Sequence, residues 1–167
     1  QCEWAKDLNL PIIIHSRVAN REAIEVVRKA QNGRLRGILH CFSGTLEEAK
    51  EMIALGFMLG VGGTLTYPKS ELPTVLRDIP LEYIVLETDA PDIPPQWLYT
   101  TAQQRGAGVP QGINSPAELP RIAEVVAALR GISLEALAVA TTANAIAALP
   151  RLADHRLRGA IGVSGVG

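Results

Sequence analysis

Three side chains able to share a metal ion stand in equivalent places along this chain. His15 directly follows Ile12-Ile13-Ile14, His40 directly follows Ile38-Leu39, and Asp89 lies just past Tyr83-Ile84-Val85-Leu86. Imidazole and carboxylate suit a divalent metal such as zinc or manganese. Each has an ordinary reading when taken singly. A histidine at a strand end is commonly a satisfied packing residue, and an aspartate after a strand commonly caps a turn or a helix. Recurrence on successive units argues for a site. The third histidine, His155, lies in the tail and takes no role.

The elements that must position these residues follow from local pattern. Pro11–His15, Gly37–Cys41, Phe57–Val61 and Tyr83–Leu86 read as short strands, and the unalternated Ile12-Ile13-Ile14 run suggests a strand covered on both faces. Between them, Ala23, Val26, Val27 and Ala30 recur at helical spacing over Asn20–Ala30. Thr45 with Glu48 forms a capping box for a helix through Leu55, and Gly56 ends it. A short helix is expected over Ser70–Arg77, with Pro73 tolerated in its first turn. Strands alternating with helices mean parallel strands with crossover helices, an α/β fold in which sites gather at the carboxyl ends of the strands. Gly62-Gly63 and Tyr67-Pro68 mark a loop, and a longer one runs from Ala90 to Asn114. Two closing helices follow, Ser115–Arg130 and Ser133–Ala148, with Ser caps and a Gly131 stop. Residues 1–10 read as the later part of an amphipathic helix, Trp4 and Leu8 sharing a face. One domain over 1–150 and a flexible tail over 151–167 are expected.

Composition narrows the function classes. At 167 residues, 47% hydrophobic and 20% charged, the chain can build one sizeable core. Its net charge of −1, with no basic run, argues against a high-affinity nucleic-acid-binding module, though not against an enzyme meeting phosphates in a cleft. Cys2 and Cys41 form no disulfide framework, no run is long enough to span a membrane, and a cytoplasmic location is expected. Trp4, Trp97 and Tyr99 are too scattered for a base-stacking platform.

Several blocks together carry a resemblance. His15-Ser16-Arg17, His40-Cys41-Phe42-Ser43-Gly44, Gly60-Val61-Gly62-Gly63-Thr64 and Glu87-Thr88-Asp89-Ala90-Pro91, then Thr141-Thr142-Ala143-Asn144-Ala145, resemble, in order, the signature blocks of the TatD family of metal-dependent hydrolases. The resemblance implies the carboxy-terminal half of a TIM-barrel-like fold. It also implies hydrolysis of phosphodiester bonds in DNA, a deoxyribonuclease activity, at a centre of one or two divalent cations (zinc, magnesium or manganese). By position, His15 and His40 are implied as ligands of one metal, and Asp89 as ligand of the other and as the group that orients or deprotonates the attacking water. Two other readings stay open: an amidohydrolase-like enzyme acting on a small ester or amide, and a non-catalytic fragment.

Other positions keep two readings each. Arg17 can contact a phosphate by its fork of donors or pair with a surface acid. Gly62 and Gly63 can present N–H groups to a phosphate or permit a tight turn. Glu87 can brace the site beside Asp89 or complete the barrel rim. Cys41 is expected as a packed thiol, and Thr142 and Asn144 as structural hydrogen-bonders. The family's His-x-His pair and bridging Glu, which belong to earlier strands, are not found in the chain. An amino-terminal half is therefore expected to precede Gln1. Pairing with that half, self-association or aggregation is expected from the exposed edges and apolar face. Weak or empty metal occupancy with negligible hydrolysis is expected of the present residues alone, both restored by the amino-terminal half.

Overall fold

The computed structural model describes residues 1–99, 101, 107 and 112–153. Four strands, β1 (Ile12–His15), β2 (Gly37–His40), β3 (Phe57–Val61) and β4 (Ile84–Leu86), form one sheet in chain order, every pair parallel. Helices α2 (Asn20–Ala30), α3 (Leu46–Ala54) and α4 (Leu72–Asp78) make the crossovers. α1 (Cys2–Asp7) precedes the sheet; α5 (Leu119–Arg130) and α6 (Leu134–Ala148) close it. This is the α/β architecture expected for part of a TIM barrel.

The period-two alternation of side chains sorts each strand. Leu39, Phe57, Leu59, Val61 and Ile84 face the helices and join Ile24, Val27, Met52, Leu76, Ile122 and Val126 in the main core. Ile38, Met58 and Val85 form a smaller cluster with Ala145, Ala148 and Leu149. Helix α6 contributes Leu137 to the first cluster and Ala148 to the second, so it passes from one layer to the other alongside β4. β1 does not share this double cover. Ile12 and Ile14 pack against the main core while Ile13 is 61% exposed, which corrects the expectation of a strand covered on both faces. The cover from α6 reaches β2, β3 and β4 and stops short of this edge strand.

Local chemistry explains the ends of the elements. Thr45 and Glu48 make both bonds of the capping box, and Gly131 ends α5 in the left-handed region at φ 64°. Boundaries differ from the sequence reading where backbone bonding intervenes. Tyr83 belongs to a 3-10 turn, Leu81–Tyr83, and not to β4; Cys41 leaves β2 at φ 48°. The segment Pro116–Glu118 is also 3-10, so α5 begins only at Leu119. The α4 helix runs one residue past the expected end and starts at Leu72, with Pro73 in its first turn. In α1 the buried residues are Ala5 and Lys6, while Trp4 and Leu8 are 69% and 66% exposed. Residues 151–153 are helical, so the tail expected from 151 opens with a turn; its remainder lies outside the described residues, as does much of the 90–114 loop. Among the described residues no helix is long and apolar enough to cross a membrane.

Candidate metal centre

Parallel register brings the two histidines side by side. His15 pairs with His40 across β1 and β2, and their rings lie 5.7 Å apart between centroids. Both end their strands on the face opposite the main core, where backbone pairing runs out and a side chain can reach into a cleft. Asp89 lies three residues beyond β4, and its Oδ1 stands 3.0 Å from His40 Nε2. A concavity of about 700 Å³ opens over these strand ends, lined among others by His15, Arg17, Cys41, Thr64, Tyr67 and Asp89. His15 and Asp89 thus line the concavity, and His40 adjoins both of them.

His40 is gripped from behind. Its Nδ1 lies 2.8 Å from Glu87 Oε2, and the other carboxylate oxygen of Glu87 accepts the Cys41 backbone N–H. A carboxylate only accepts, so Nδ1 donates to Glu87, and Nε2 faces a second carboxylate in Asp89, an arrangement that favours the doubly protonated ring. Burial works to lower the His40 pKa, but Glu87 and then Asp89 outweigh it and the net shift is upward. Ligating histidines are braced in this way in metal sites generally. Glu87 reaches β2 from the end of β4 by crossing β3 at Gly60, where a Cβ would stand 2.7 Å from its carboxylate oxygens. An isolated glycine in a strand is a signal of such close approach, and it was readable in the sequence.

Ligand-type atoms of His40, Cys41 and Glu87 lie within 4.8 Å of one another. Among the described residues no equally close group joins His15, His40 and Asp89, yet His40, Cys41 and Glu87 make a poor metal set. Both Glu87 oxygens are already engaged, and burial, followed by Glu87 and Asp89, pushes the Cys41 thiol far above its ordinary range. A thiol held protonated is neither ligand nor nucleophile. Two imidazoles and a carboxylate at neighbouring strand ends are donors of the type a divalent cation takes, with His15 and Asp89 lining the concavity and His40 beside Asp89.

The remaining candidates divide. Arg17 is exposed at the concavity and forms no ion pair among the described residues. Gly62 and Gly63 are buried beneath the Asp89 loop; a Cβ on Gly63 would meet Ile93 O at 2.5 Å, and one on Gly62 would meet Glu87 O at 3.2 Å. Close approach accounts for both glycines. Thr64, the next residue, reaches the concavity instead, and its hydroxyl has no partner among the described residues; the same holds for Ser16. Tyr67 donates to Pro94 O at 3.0 Å, and burial pushes its phenol up to about 12. Asn144 is a structural hydrogen-bonder as expected. Thr142 is exposed, and its neighbour Thr141 bonds Leu137 O instead. Trp97 is held by Glu118 and by Arg121 over its ring.

The rim carries non-glycine residues with positive φ: Val18 at 61°, Cys41 at 48°, Asp89 at 55° and Ile93 at 47°. Each costs on the order of 1–3 kcal/mol and persists only where the surroundings over-determine it. One of those surroundings was not anticipated from the sequence. Asn114, only 2% exposed, donates its Nδ2 to Thr88 O at 2.7 Å and to Asp92 O, on either side of Asp89. Nothing in its type or spacing marks it beforehand.

Comparison with known proteins agrees with this geometry. The sequence profile described as TatD related DNase matches residues 1–150. The chain is 34% identical over 146 residues to a protein of Bacillus subtilis named uncharacterized metal-dependent hydrolase YabD, covering 87% of this chain and 53% of that protein. It is also 34% identical over 146 residues to the Escherichia coli protein named 3'-5' ssDNA/RNA exonuclease TatD, covering 86% and 54%. Among solved structures, the TatD homologue YjjV of Escherichia coli superposes with a TM-score of 0.76 at 31% identity, over 89% of this chain and 53% of that one. The chain thus spans about half the length of the relatives it matches.

Proposed function

The chain belongs to the TatD family of related DNases, and from that premise we propose that its strand ends form part of the metal centre of a hydrolase cleaving phosphodiester bonds in DNA. One observation carries the reading: His40 stands between two carboxylates, Glu87 at 2.8 Å and Asp89 at 3.0 Å, and Asp89 lines a cleft together with His15 and Arg17.

When bound, one or two divalent cations (zinc, magnesium or manganese) supply Lewis acidity that makes water nucleophilic near neutral pH and offsets charge on phosphoryl oxygens. The chain's own residues do the rest. His15 and His40 would offer ring nitrogens, and Glu87, holding His40 Nδ1, would leave Nε2 for a cation once one displaced its proton. Asp89 would offer its carboxylate as a ligand and would orient or deprotonate the attacking water. Arg17, exposed at the cleft, holds a phosphate of the substrate backbone through its fork of donors. Ile13, 61% exposed on edge strand β1, supports packing against further strands, from an amino-terminal half or a second copy. Two free cysteines support a reducing, cytoplasmic setting.

The test is to incubate the protein with single-stranded DNA, and separately with a panel of small esters and amides. Each arm is run with chelator and with zinc or manganese restored. Negligible release of nucleotides is expected from this chain alone, and metal-dependent release with the small substrates intact once the expected amino-terminal half is supplied. Turnover of an amide or ester with DNA untouched would replace the phosphodiesterase by an amidohydrolase. Absence of metal uptake and of turnover on every substrate even with that half supplied would leave a non-catalytic chain.

A further inference from the structure

We propose that Asn114 is the positioning residue for Asp89, holding the loop that carries this carboxylate in its working shape. The inference rests on the metal-centre reading above for what Asp89 does, but its evidence is separate. Asn114 sits directly before Ser115, whose hydroxyl accepts Ala117 N–H and opens the turn leading into α5. From that anchored place its Nδ2 reaches back across the chain to Thr88 O at 2.7 Å, to Asp92 O, and more distantly to Ile93 O at 3.4 Å. An amide nitrogen carries two hydrogens, so the first two carbonyls are its principal acceptors. They flank Asp89 on both sides.

The loop needs such a clamp. Asp89 and Ile93 both have positive φ, and the only short backbone bond inside the turn runs from Asp92 N to Asp89 O at 2.8 Å. Free of external constraint, an Asp and a β-branched Ile would leave that region. Gly63 supplies the floor, since it lets Ile93 O approach closer than any side chain would allow. Asn114 supplies the tie across the top. Its Oδ1 is buried with no partner among the described residues, so the side chain is held there through its donors. The position of the Asp89 carboxylate beside His40 Nε2 is therefore set from Asn114, 25 residues along the chain and just ahead of the turn that leads into α5.

Asn114→Ala and Asn114→Asp test this, with Asn144→Ala as the control. Asn144 is also buried and also donates to two carbonyls, those of Leu81 and Ile84, far from the concavity. Three readouts are needed: thermal midpoint, amide hydrogen exchange at Asp92 in the metal-free protein, and the visible spectrum and affinity of bound cobalt(II). Both Asn114 variants are expected to speed exchange at Asp92, and to weaken metal binding by about 10–100-fold with an altered ligand-field band. Asn114→Asp, which turns a carboxylate toward the three carbonyls, should exceed Asn114→Ala. Asn144→Ala should lower the thermal midpoint and leave exchange at Asp92 and the cobalt spectrum as they were. Exchange at Asp92 unchanged in both Asn114 variants, or a cobalt spectrum and affinity unchanged in folded protein, would overturn the proposal. If the unsubstituted protein binds no cobalt, the metal reading fails, and Asp92 exchange still decides whether Asn114 clamps the loop.

Discussion

Asn144 and Asn114 do similar work at opposite ends of β4. Where the chain enters the strand, the Asn144 carboxamide donates to Leu81 O and Ile84 O, both at 2.8 Å. Where the chain has left it, Asn114 donates to Thr88 O and Asp92 O. Both side chains are buried, at 8% and 2% exposure. The backbone they hold is different. At the entry, Ile84 has φ −99° and the neighbouring cluster of Ile38, Val85 and Ala148 is apolar. At the exit, Asp89 and Ile93 lie in the left-handed region, and a carboxylate stands between the two accepting carbonyls. A buried hydrogen bond contributes about 0.5–1.5 kcal/mol net at either place. At the entry that energy deepens a conformation the chain already favours. At the exit it holds one the chain would otherwise abandon, so stability is exchanged there for the placement of a reactive group.

Substitutions can break or sharpen this contrast. The largest effect should come from Asp89→Asn, which removes the proton acceptor at the exit end. With the expected amino-terminal half supplied, turnover is expected to fall by about 10²–10⁴-fold with the thermal midpoint nearly unmoved, as steady-state assay beside calorimetry would show; retained turnover would mean the exit end is not the working end. Glu87→Gln comes next. Without its charge the grip on His40 Nδ1 loosens, and zinc affinity, followed by competition with a chromophoric chelator, should drop by about 10–100-fold. Gly60→Ala should reproduce that loss, because its Cβ would occupy the path of the Glu87 side chain. Zinc affinity left intact in Gly60→Ala would show that Glu87 can reach His40 by another route.

At the entry end the sign of the result reverses. Asn144→Ala should cost about 1–3 kcal/mol in urea unfolding, from carbonyls left buried and unbonded, while zinc affinity stays at the unsubstituted value. The smallest change expected is for Arg130→Ala. The Arg130 guanidinium donates to Leu76 O, Arg77 O and Ile79 O at the end of α4. Water can reach part of that helix end once the side chain is gone, so about 1 kcal/mol should be lost. A loss of metal binding in Arg130→Ala would mean that the two ends of the sheet are coupled more tightly than their separate bonding suggests.

Much of this molecule was legible in the linear chain. β-branched runs, a capping box at Thr45 and Glu48, and glycine stops at Gly56 and Gly131 are local signals, and each produced the element it implied. His15, His40 and Asp89 were legible for the same reason, since a residue just past a strand must lie at that strand's end wherever the strand goes. The signal failed where cover was non-local. Ile12-Ile13-Ile14 looks the same whether one face or two are packed, and only the path of α6 decides that Ile13 stays open.

The sequence by itself determined the four parallel strands, their order of helices and the residues at their carboxyl ends, because those follow from hydrophobic period and turn chemistry within a few positions. Tertiary structure alone decided that Glu87 crosses Gly60 to hold His40, 47 residues away, and that Asn114 ties Thr88, 26 residues away. Such contacts depend on register between strands and on where a distant helix begins. A carboxylate or an amide has no periodicity that announces its partner; the folded backbone supplies the partner by placing an unpaired ring nitrogen or carbonyl within about 3 Å.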